Sequence, residues 1–232
     1  MNEAIEGGSG YATGAYWRKR QDMVYYRALD GIVRSVGQNA NSLIDVGTGN
    51  CPYLDWWDWI PARLSVDIRV PYRSNGVKGI QGDIHDLAFE RRFDLCTCFQ
   101  VLEHVPDAGR FARRLLELGE AVIVSVPYKW PNVPEPTRGH VHDPVDHDKL
   151  SDWFGRPANF SIVVEEPSGH AKSRRLIAIY DRDPARSFAF GSDLVPLPES
   201  ADKRPALHRS LASALGWWRG TPRAKRARGG RG

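Results

Sequence analysis

A succession of short apolar runs limits the fold of this chain more than any other feature. Between residues 42 and 127 the runs are "SLIDVG", "RLSVDI", "VKGIQGDI", "FDLCTCF" and "EAVIVSVP". Runs of this length suit strands that are buried on both faces, and the stretches between several of them have a helical pattern. Alternation of this kind is typical of a parallel sheet with crossover helices, so we predict an α/β domain.

Further patterns flank these runs. Apolar residues at helical spacing, from Tyr16 to Val33, predict a helix that ends near Gly37. The stretches "YLDWWDWI" and "DAGRFARRLLELG" predict helices after the first and fourth runs. Two later runs, "FSIVVEE" and "RLIAIYD", predict strands that add a hairpin-like edge to the sheet.

The two ends of the chain differ from its middle in composition. Residues 1–15 are acidic and Gly-rich, and residues 184–232 are rich in Pro, Ser and Arg, so we expect the folded domain over residues 16–183. Six of the 32 basic residues lie in the last fourteen positions, and without them the 28 acidic residues outnumber the basic ones by two. The net charge of +4 therefore comes from a tail that we predict to be disordered.

Several protein classes conflict with this composition. No apolar run approaches the ~20 residues that span a bilayer, and the N-terminus lacks the basic and apolar regions of a secretory signal. Cys51, Cys96 and Cys98 provide neither a disulfide framework nor the paired motifs of a zinc site. We expect a cytoplasmic protein in which Cys96 and Cys98 are buried in a strand.

A pair of glycines marks a ligand site at the end of the first strand. In "LIDVGTGN", Gly47 and Gly49 allow a sharp turn and a close approach of the backbone to a ligand. A dinucleotide-binding motif would have a third glycine where this chain has Pro52. Asp67 ends the second run, where a carboxylate can accept both hydroxyls of a ribose. Asp83, after the third run, is placed to bind an adenine amino group.

These motifs occur together in one known family. "LIDVGTGN", "SVDI", "GDIHDL" and "FDLCTCFQVLEHV" resemble the class I S-adenosylmethionine-dependent methyltransferases over roughly residues 40–130. The resemblance implies a Rossmann-like fold with a seven-stranded, mostly parallel sheet flanked by helices, and S-adenosyl-L-methionine as cofactor. The cofactor-binding residues that it implies are Asp45, Gly47, Gly49, Asp67, Asp83, Ile84, Phe99 and Gln100.

Within that implied site each residue has an expected place. The two glycines face the methionine part, Asp67 the ribose and Asp83 the adenine, while Phe99 and Gln100 line the floor beside the sulfonium. A Rossmann-like domain with another ligand, or with none, remains the alternative.

Two stretches rich in His follow the fourth and fifth strands. Glu103 and His104 belong to "QVLEHVP", and His140 and His142 belong to "RGHVHDPVDHDKL". Because both loops leave the carboxyl edge of the sheet, we expect them over one cleft. A Glu with two or three His suits a divalent cation, for which we predict Mg²⁺ and four ligands, Glu103, His104, His140 and His142.

The same cluster supplies the expected catalytic residues, Glu103, His104 and His142. We prefer His142 to His140 because Asp143 follows it and could orient its ring. His104 acting alone as a general base is the simpler alternative.

Two narrower resemblances bear on the acceptor. The small-RNA 3′-terminal 2′-O-methyltransferases have a similar arrangement, a Glu-x-x-Glu-His motif with a later His, but this chain has Gln100 in place of the first acid. The stretches "DPVDHDKLSDWFGRPANFSIVVEE" and "RRLIAIYDRD" resemble the bacterial methylmannose polysaccharide (MMP) 1-O-methyltransferases. That resemblance implies a methylated mannose oligosaccharide as acceptor.

We therefore predict a metal-assisted O-methyltransferase that acts on a sugar hydroxyl of an oligosaccharide. An RNA 2′-O-methyltransferase is favoured by the basic tail and disfavoured by the acidic body, because phosphate contacts dominate affinity for RNA. A non-catalytic methyltransferase-fold binding subunit is the third possibility, and the intact acid and glycine set argues against it. We expect no membrane span and no nucleic-acid partner, and we leave a homodimer open.

The aromatic residues near the first strand allow two interpretations. Tyr53, Trp56, Trp57 and Trp59 have a spacing typical of core residues, although an exposed Trp57 or Trp130 could stack on a sugar ring. The residues ahead of the domain that could form a lid are Tyr11, Tyr16, Trp17 and Arg18.

Overall fold

The computed structural model describes residues 15–131, 139–168, 170 and 172–190, all within one compact unit of residues 1–196. Its strands are β1 (Ser42–Val46), β2 (Ala62–Asp67), β3 (Val77–Gln81), β4 (Phe93–Phe99), β5 (Gly119–Pro127), β6 (Phe160–Glu165) and β7 (Arg174–Asp181). Its α-helices are α1 (Ala15–Arg18), α2 (Val24–Val36), α3 (Ala108–Leu118) and α4 (His147–Phe154). Two 3-10 helices cover Pro52–Trp57 and Leu102–His104. The predicted tail, apart from its first residues, lies outside these ranges.

The strands form one seven-stranded sheet in the order β3-β2-β1-β4-β5-β7-β6. Strands β1 to β5 are parallel to one another, and β7 is antiparallel to both β5 and β6. The predicted fold is therefore confirmed, including the late antiparallel pair. The strand order reverses between β1 and β4, and in open α/β sheets ligands bind at the carboxyl edge beside such a reversal.

Two apolar layers cover the faces of this sheet. On one face, α2 and the first 3-10 helix pack through residues such as Leu29 and Trp57, and on the other α3 and α4 pack through Leu115 and Leu150. Successive strand residues alternate between the two layers, as a period of two requires. Burial on both faces explains why every residue of β1 is buried, and Cys96 and Cys98 are buried in β4 as expected.

The predicted N-terminal helix is wrong in one respect, because the chain breaks it at residues 19–23. The carboxylate of Glu166 accepts hydrogen bonds from the backbone N–H groups of Val24 (3.0 Å) and Tyr25 (2.9 Å). The first amides of a helix have no partner inside it, so this distant carboxylate fixes where α2 begins. None of the helices in the described ranges is long and apolar enough to cross a membrane.

The segment after β1 is a 3-10 helix rather than the predicted α-helix. Its two buried rings are tied to side chains on either side, since Tyr53 donates to Asp45 (2.8 Å) and Trp57 donates to Asp30 (3.1 Å). The described segments between β2 and β3 and between β3 and β4 contain no helix either. None of the described connections from β1 to β4 therefore contains an α-helix.

The aromatic residues form core rather than an open surface. Trp57 is 1% exposed and Trp130 is 8% exposed, so neither offers a free face to a sugar ring. Trp17, expected in a lid, is also buried, with its ring 4.9 Å from that of Tyr26. Tyr11 and the side chain of Tyr16 lie outside the described residues, so the lid stays a prediction.

Candidate active site

The backbone turn after β1 needs glycine for two separate reasons. Gly47 and Gly49 have φ angles of 87° and 59°, in the left-handed region that other residues rarely adopt. A Cβ built on Gly47 would also lie 2.3 Å from Cγ2 of Val101. The turn after β1 therefore packs directly against the Val101 side chain in the loop after β4.

Asp45, in β1, is hydrogen-bonded to Thr48 of this turn. Its side chain is fully buried, and its carboxylate accepts hydrogen bonds from the hydroxyls of Thr48 (2.6 Å), Tyr53 (2.8 Å) and Thr97 (2.6 Å). Burial raises the pKa of Asp45 to about 6, against the opposing effect of the three hydroxyls. The sequence placed Asp45 among the cofactor-binding residues, but the structure gives its carboxylate no accessible surface, so it positions the turn.

Asp67 links the glycine turn to the end of β2. One carboxylate oxygen accepts from the N–H of Gly49 (2.9 Å), and the other accepts from the N–H groups of Arg69 (2.7 Å) and Val70 (2.9 Å). The side chain is half-buried, and a carboxylate offers about four acceptor positions in all. Asp67 therefore keeps acceptor capacity for a ligand beside Gly49.

The predicted adenine-side residues divide into one exposed and one buried side chain. Asp83 is exposed and accepts from the N–H of His85 (2.9 Å). Ile84 is 2% exposed and packs in the core, so only its main chain can meet a ligand.

Sequence reasoning missed Ile68. It directly follows Asp67 and is 65% exposed, the largest exposure among the large apolar residues that the structure describes as exposed. An apolar residue directly after the last residue of a predicted strand lies outside the sheet, so its position in the sequence could have indicated its exposure. An exposed aliphatic side chain beside Asp67, the carboxylate predicted to bind a ribose, suits the flat face of a nucleobase.

Phe99 and Gln100, predicted to line the floor of the site, lie at the end of β4. Phe99 packs against the ring of Tyr53 at 5.7 Å, and Gln100 has a φ angle of 58°, which is uncommon outside glycine. The Gln100 amide donates to the hydroxyl of Ser125 (3.3 Å), and that hydroxyl also hydrogen-bonds to the phenol of Tyr25. The backbone geometry and this hydrogen-bonded row fix the Gln100 side chain at the carboxyl edge.

Glu103, His104 and His140 converge at the same edge. One potential ligand atom from each residue lies within 4.8 Å of the others. Glu103 is 1% exposed, and one of its carboxylate oxygens is buried with no hydrogen-bond partner among the described residues. Burial raises the pKa of Glu103 to about 8. A buried carboxylate oxygen without a partner is costly, and a bound cation would supply one.

Each histidine of this cluster is oriented by an oxygen atom next to its Nδ1. Nδ1 of His104 lies 3.0 Å from the Gly139 carbonyl, and Nδ1 of His140 lies 2.7 Å from the Asp143 carboxylate. These acceptors place the proton on Nδ1 in each neutral ring and leave Nε2 as a lone-pair donor. Burial and the neighbouring His140 lower the pKa of His104, which favours its neutral form.

His142 is not part of this cluster, which corrects the sequence-based choice. Its Nε2 donates to the carbonyl of Val105 (2.7 Å), and its ring packs on Trp153 at 5.1 Å. Asp143 orients His140, three residues earlier in the turn, and not the adjacent His142. Neighbouring side chains in this loop point in different directions, so adjacency to an acid in the sequence was the wrong criterion.

Comparisons with known proteins concern one part of the sequence and the fold. Residues 44–118 match the family model of a methyltransferase domain, and that range contains the glycine turn together with Glu103 and His104. No curated protein matches the chain.

Several solved structures share its fold. One is the N-methyltransferase NodS from Bradyrhizobium japonicum in complex with S-adenosyl-L-homocysteine, with 12% identity over 71% of this chain and 90% of that chain and a TM-score of 0.55. Another is the 1,6-didemethyltoxoflavin-N1-methyltransferase from Burkholderia thailandensis, with 17% identity over 77% and 92% and a TM-score of 0.55. A third is an S-adenosylmethionine-dependent methyltransferase from Mesorhizobium loti, with 15% identity over 68% and 98% and a TM-score of 0.54. The chain thus shares the fold of these methyltransferases, and residues 44–118 match a methyltransferase-domain model.

Proposed function

We propose that this protein transfers a methyl group from S-adenosyl-L-methionine to a sugar hydroxyl of an oligosaccharide, with a divalent cation held by Glu103, His104 and His140. The observation that carries the proposal is the convergence of these three side chains beside the end of β4. Two imidazoles with available Nε2 atoms and the buried Glu103 carboxylate form a donor set with open positions for substrate oxygens.

The cofactor has a matching set of residues along the same edge. The turn at Gly47 and Gly49 would hold the methionine part, Asp67 the ribose hydroxyls, and Ile68 with Asp83 the adenine. S-adenosyl-L-methionine supplies a methyl group on a sulfonium that is already a good leaving group. What remains for the protein is to align the acceptor and to remove its proton.

The cluster suits that second task. A divalent cation lowers the pKa of a hydroxyl that it contacts. His104 is the most exposed of the three residues, with 39% of its side chain accessible, and its neutral Nε2 can serve either as a ligand of the cation or as a base, but not as both at once. If no cation bound, His104 could act as the base alone.

The identity of the cation follows from the donors rather than from the fold. Mg²⁺, predicted from the sequence, usually takes oxygen ligands, whereas two imidazoles suit transition metals such as Mn²⁺ or Zn²⁺ better. Mg²⁺ therefore remains a prediction to be compared with these ions.

The identity of the acceptor is the most specific part of the proposal. A sugar offers neighbouring hydroxyls that one cation can bind together, and the loop after β4 lacks the Asn/Asp-Pro-Pro-aromatic motif typical of base-amine methylation. The resemblance of the late part of the chain to the methylmannose polysaccharide 1-O-methyltransferases supports 1-O-methylation of a methylated mannose oligosaccharide.

One experiment tests the proposal as a whole. Transfer of a radiolabelled methyl group is measured with methylated and unmethylated manno-oligosaccharides, other oligosaccharides and short RNA, in EDTA and after adding back Mg²⁺, Mn²⁺ or Zn²⁺. We expect a labelled oligosaccharide, loss of labelling in EDTA and recovery with at least one ion. Labelling of RNA alone would refute the sugar acceptor, and full activity in EDTA would remove the cation and leave His104 as the base.

A further inference from the structure

Arg175 lies at the carboxyl edge of the sheet, on the same side as the candidate active site. It is the second residue of β7 and pairs with Pro127, the last residue of β5. Since β7 runs antiparallel to β5, the start of β7 meets the edge where the parallel strands end. Arg175 is therefore close to the loops that carry the cluster.

Two aromatic rings hold its guanidinium in place. The Cζ atom lies 5.3 Å from the centre of the Tyr25 ring and 5.5 Å from that of the Trp130 ring. Both rings are fixed in the core, with exposures of 1% and 8%. A guanidinium packed between aromatic faces is oriented before any ligand arrives.

The same two rings also contact residues of the candidate active site. Trp130 stacks on His140, with 5.7 Å between ring centres and 24° between planes. Tyr25 hydrogen-bonds to Ser125, which accepts from Gln100. The Trp130 ring thus connects Arg175 to His140 of the proposed cation site. The Tyr25 ring and the Ser125 hydroxyl connect it to Gln100.

Most of the hydrogen-bonding capacity of this guanidinium is unused within the described part of the chain. It carries five N–H donors, and one donates to the carbonyl of Ser173 (3.2 Å). Arg182 and Arg186 form salt bridges with Glu120 and Asp181, whereas Arg175 forms none with a described residue. The charge of Arg175 also acts on Glu103, where it lowers the carboxyl pKa against the larger effect of burial, but no described acid pairs with the guanidinium directly. A half-buried, oriented guanidinium of this kind matches a carboxylate or phosphate from outside.

We infer that Arg175 binds an anionic group of the acceptor, so that the oligosaccharide is an acidic one, with a carboxylate or phosphate near the methylated hydroxyl, rather than a neutral methylmannose chain. This inference rests on the proposed function, because it places the anion in the same cleft as the methyl acceptor. The fork of the guanidinium fits two oxygens of either group.

The test measures binding, so that it does not depend on methyl transfer. Titration calorimetry on the complex with S-adenosyl-L-homocysteine compares glucuronate with glucose and mannose 6-phosphate with mannose. We expect the acidic member of at least one pair to bind about tenfold or more tightly than its neutral partner. Whether the first or the second pair shows the preference distinguishes a carboxylate from a phosphate.

Variants connect the preference to this side chain. Arg175→Gln should remove the acidic preference, and Arg175→Lys, which keeps the charge without the fork, should retain part of it. Arg174→Gln is the matched control, because Arg174 is adjacent on the same strand but stacks over Tyr128 at 5.7 Å. It should keep the full preference.

Three results would overturn the inference. These are equal or absent binding of both members of each pair, an unchanged preference in Arg175→Gln, and weaker binding of S-adenosyl-L-homocysteine itself in that variant, which would assign Arg175 to the cofactor. Identification of the methylated product is a separate measurement. An acidic preference with no O-methylated sugar would refute the proposed function and leave the anion site standing.

Discussion

Replacement of Asp45 by Asn should change how the stability of this protein depends on pH. Burial raises the pKa of Asp45 from 3.8 to about 6, despite hydrogen bonds from Thr48, Thr97 and Tyr53. Between these values the folded protein retains a proton that the unfolded chain has released, so its stability falls as the pH rises. The amide of the substituted side chain cannot ionise, and the corresponding loss should disappear in Asp45→Asn.

The size of the effect follows from the shift. Two pKa units at about 1.4 kcal/mol each correspond to about 3 kcal/mol in total, of which about 2 kcal/mol falls between about pH 4 and about pH 7. The free energy of unfolding of Asp45→Asn, relative to the unaltered protein, should therefore rise by about 2 kcal/mol over this range.

Urea unfolding followed by Trp fluorescence at each pH measures this difference. Asp58→Asn controls for the loss of one carboxylate, because Asp58 is exposed. Thr97→Val removes one of the hydroxyls that stabilise the carboxylate, so it should raise the pKa of Asp45 further and make the total fall in stability larger, extending it to higher pH. Parallel curves for Asp45→Asn and the unaltered protein would refute the reasoning, since they would mean that Asp45 ionises equally in both states.

Three further predictions concern the ligands. Asp67→Ala should weaken binding of S-adenosyl-L-homocysteine in calorimetry at least tenfold, because charge-assisted hydrogen bonds to the ribose are lost, and an unchanged affinity would remove Asp67 from the site. Gly47→Val should abolish that binding and lower the melting temperature, owing to its positive φ and the clash with the loop after β4, whereas Gly109→Ala, with ordinary space for a Cβ, should do neither. His140→Ala should lose Mn²⁺ binding, measured by electron paramagnetic resonance, and His142→Ala should keep it; the reverse result would restore the ligand set that the sequence suggested.

Part of the site could be predicted from the sequence, because it depends on residues that are close together along the chain. Gly47 and Gly49 are required by a turn that follows its own strand directly, and Asp67 stands at a strand end whose position the apolar pattern defines. The late strands were equally readable, because each run is long enough to identify alone. In all these cases the residues that determine the structure are close to one another along the chain.

The remaining features depend on distant contacts. The break before α2 is set by Glu166, more than 140 residues away along the chain. The choice between His140 and His142 depends on the path of a loop, including the positive φ of Gly139, that no periodic pattern describes. Nothing in the sequence indicated a role for Arg175, because its orientation depends on the rings of Tyr25 and Trp130, which are distant from it along the chain.

The hydrogen bonds from α2 to Glu166 also bear on the order in which the chain acquires its structure during synthesis. Among the described strands, β6 pairs only with β7, which is made after it and inserts between β5 and β6. The carboxylate that caps α2 directly follows β6, so it has no fixed position until β7 has emerged and paired. Closing so long a loop is slow compared with forming a helix. The first long helix of the described residues is thus among the last to gain its cap. A chain arrested before residue 174 would leave α2 uncapped beside an incomplete sheet edge that is prone to aggregation.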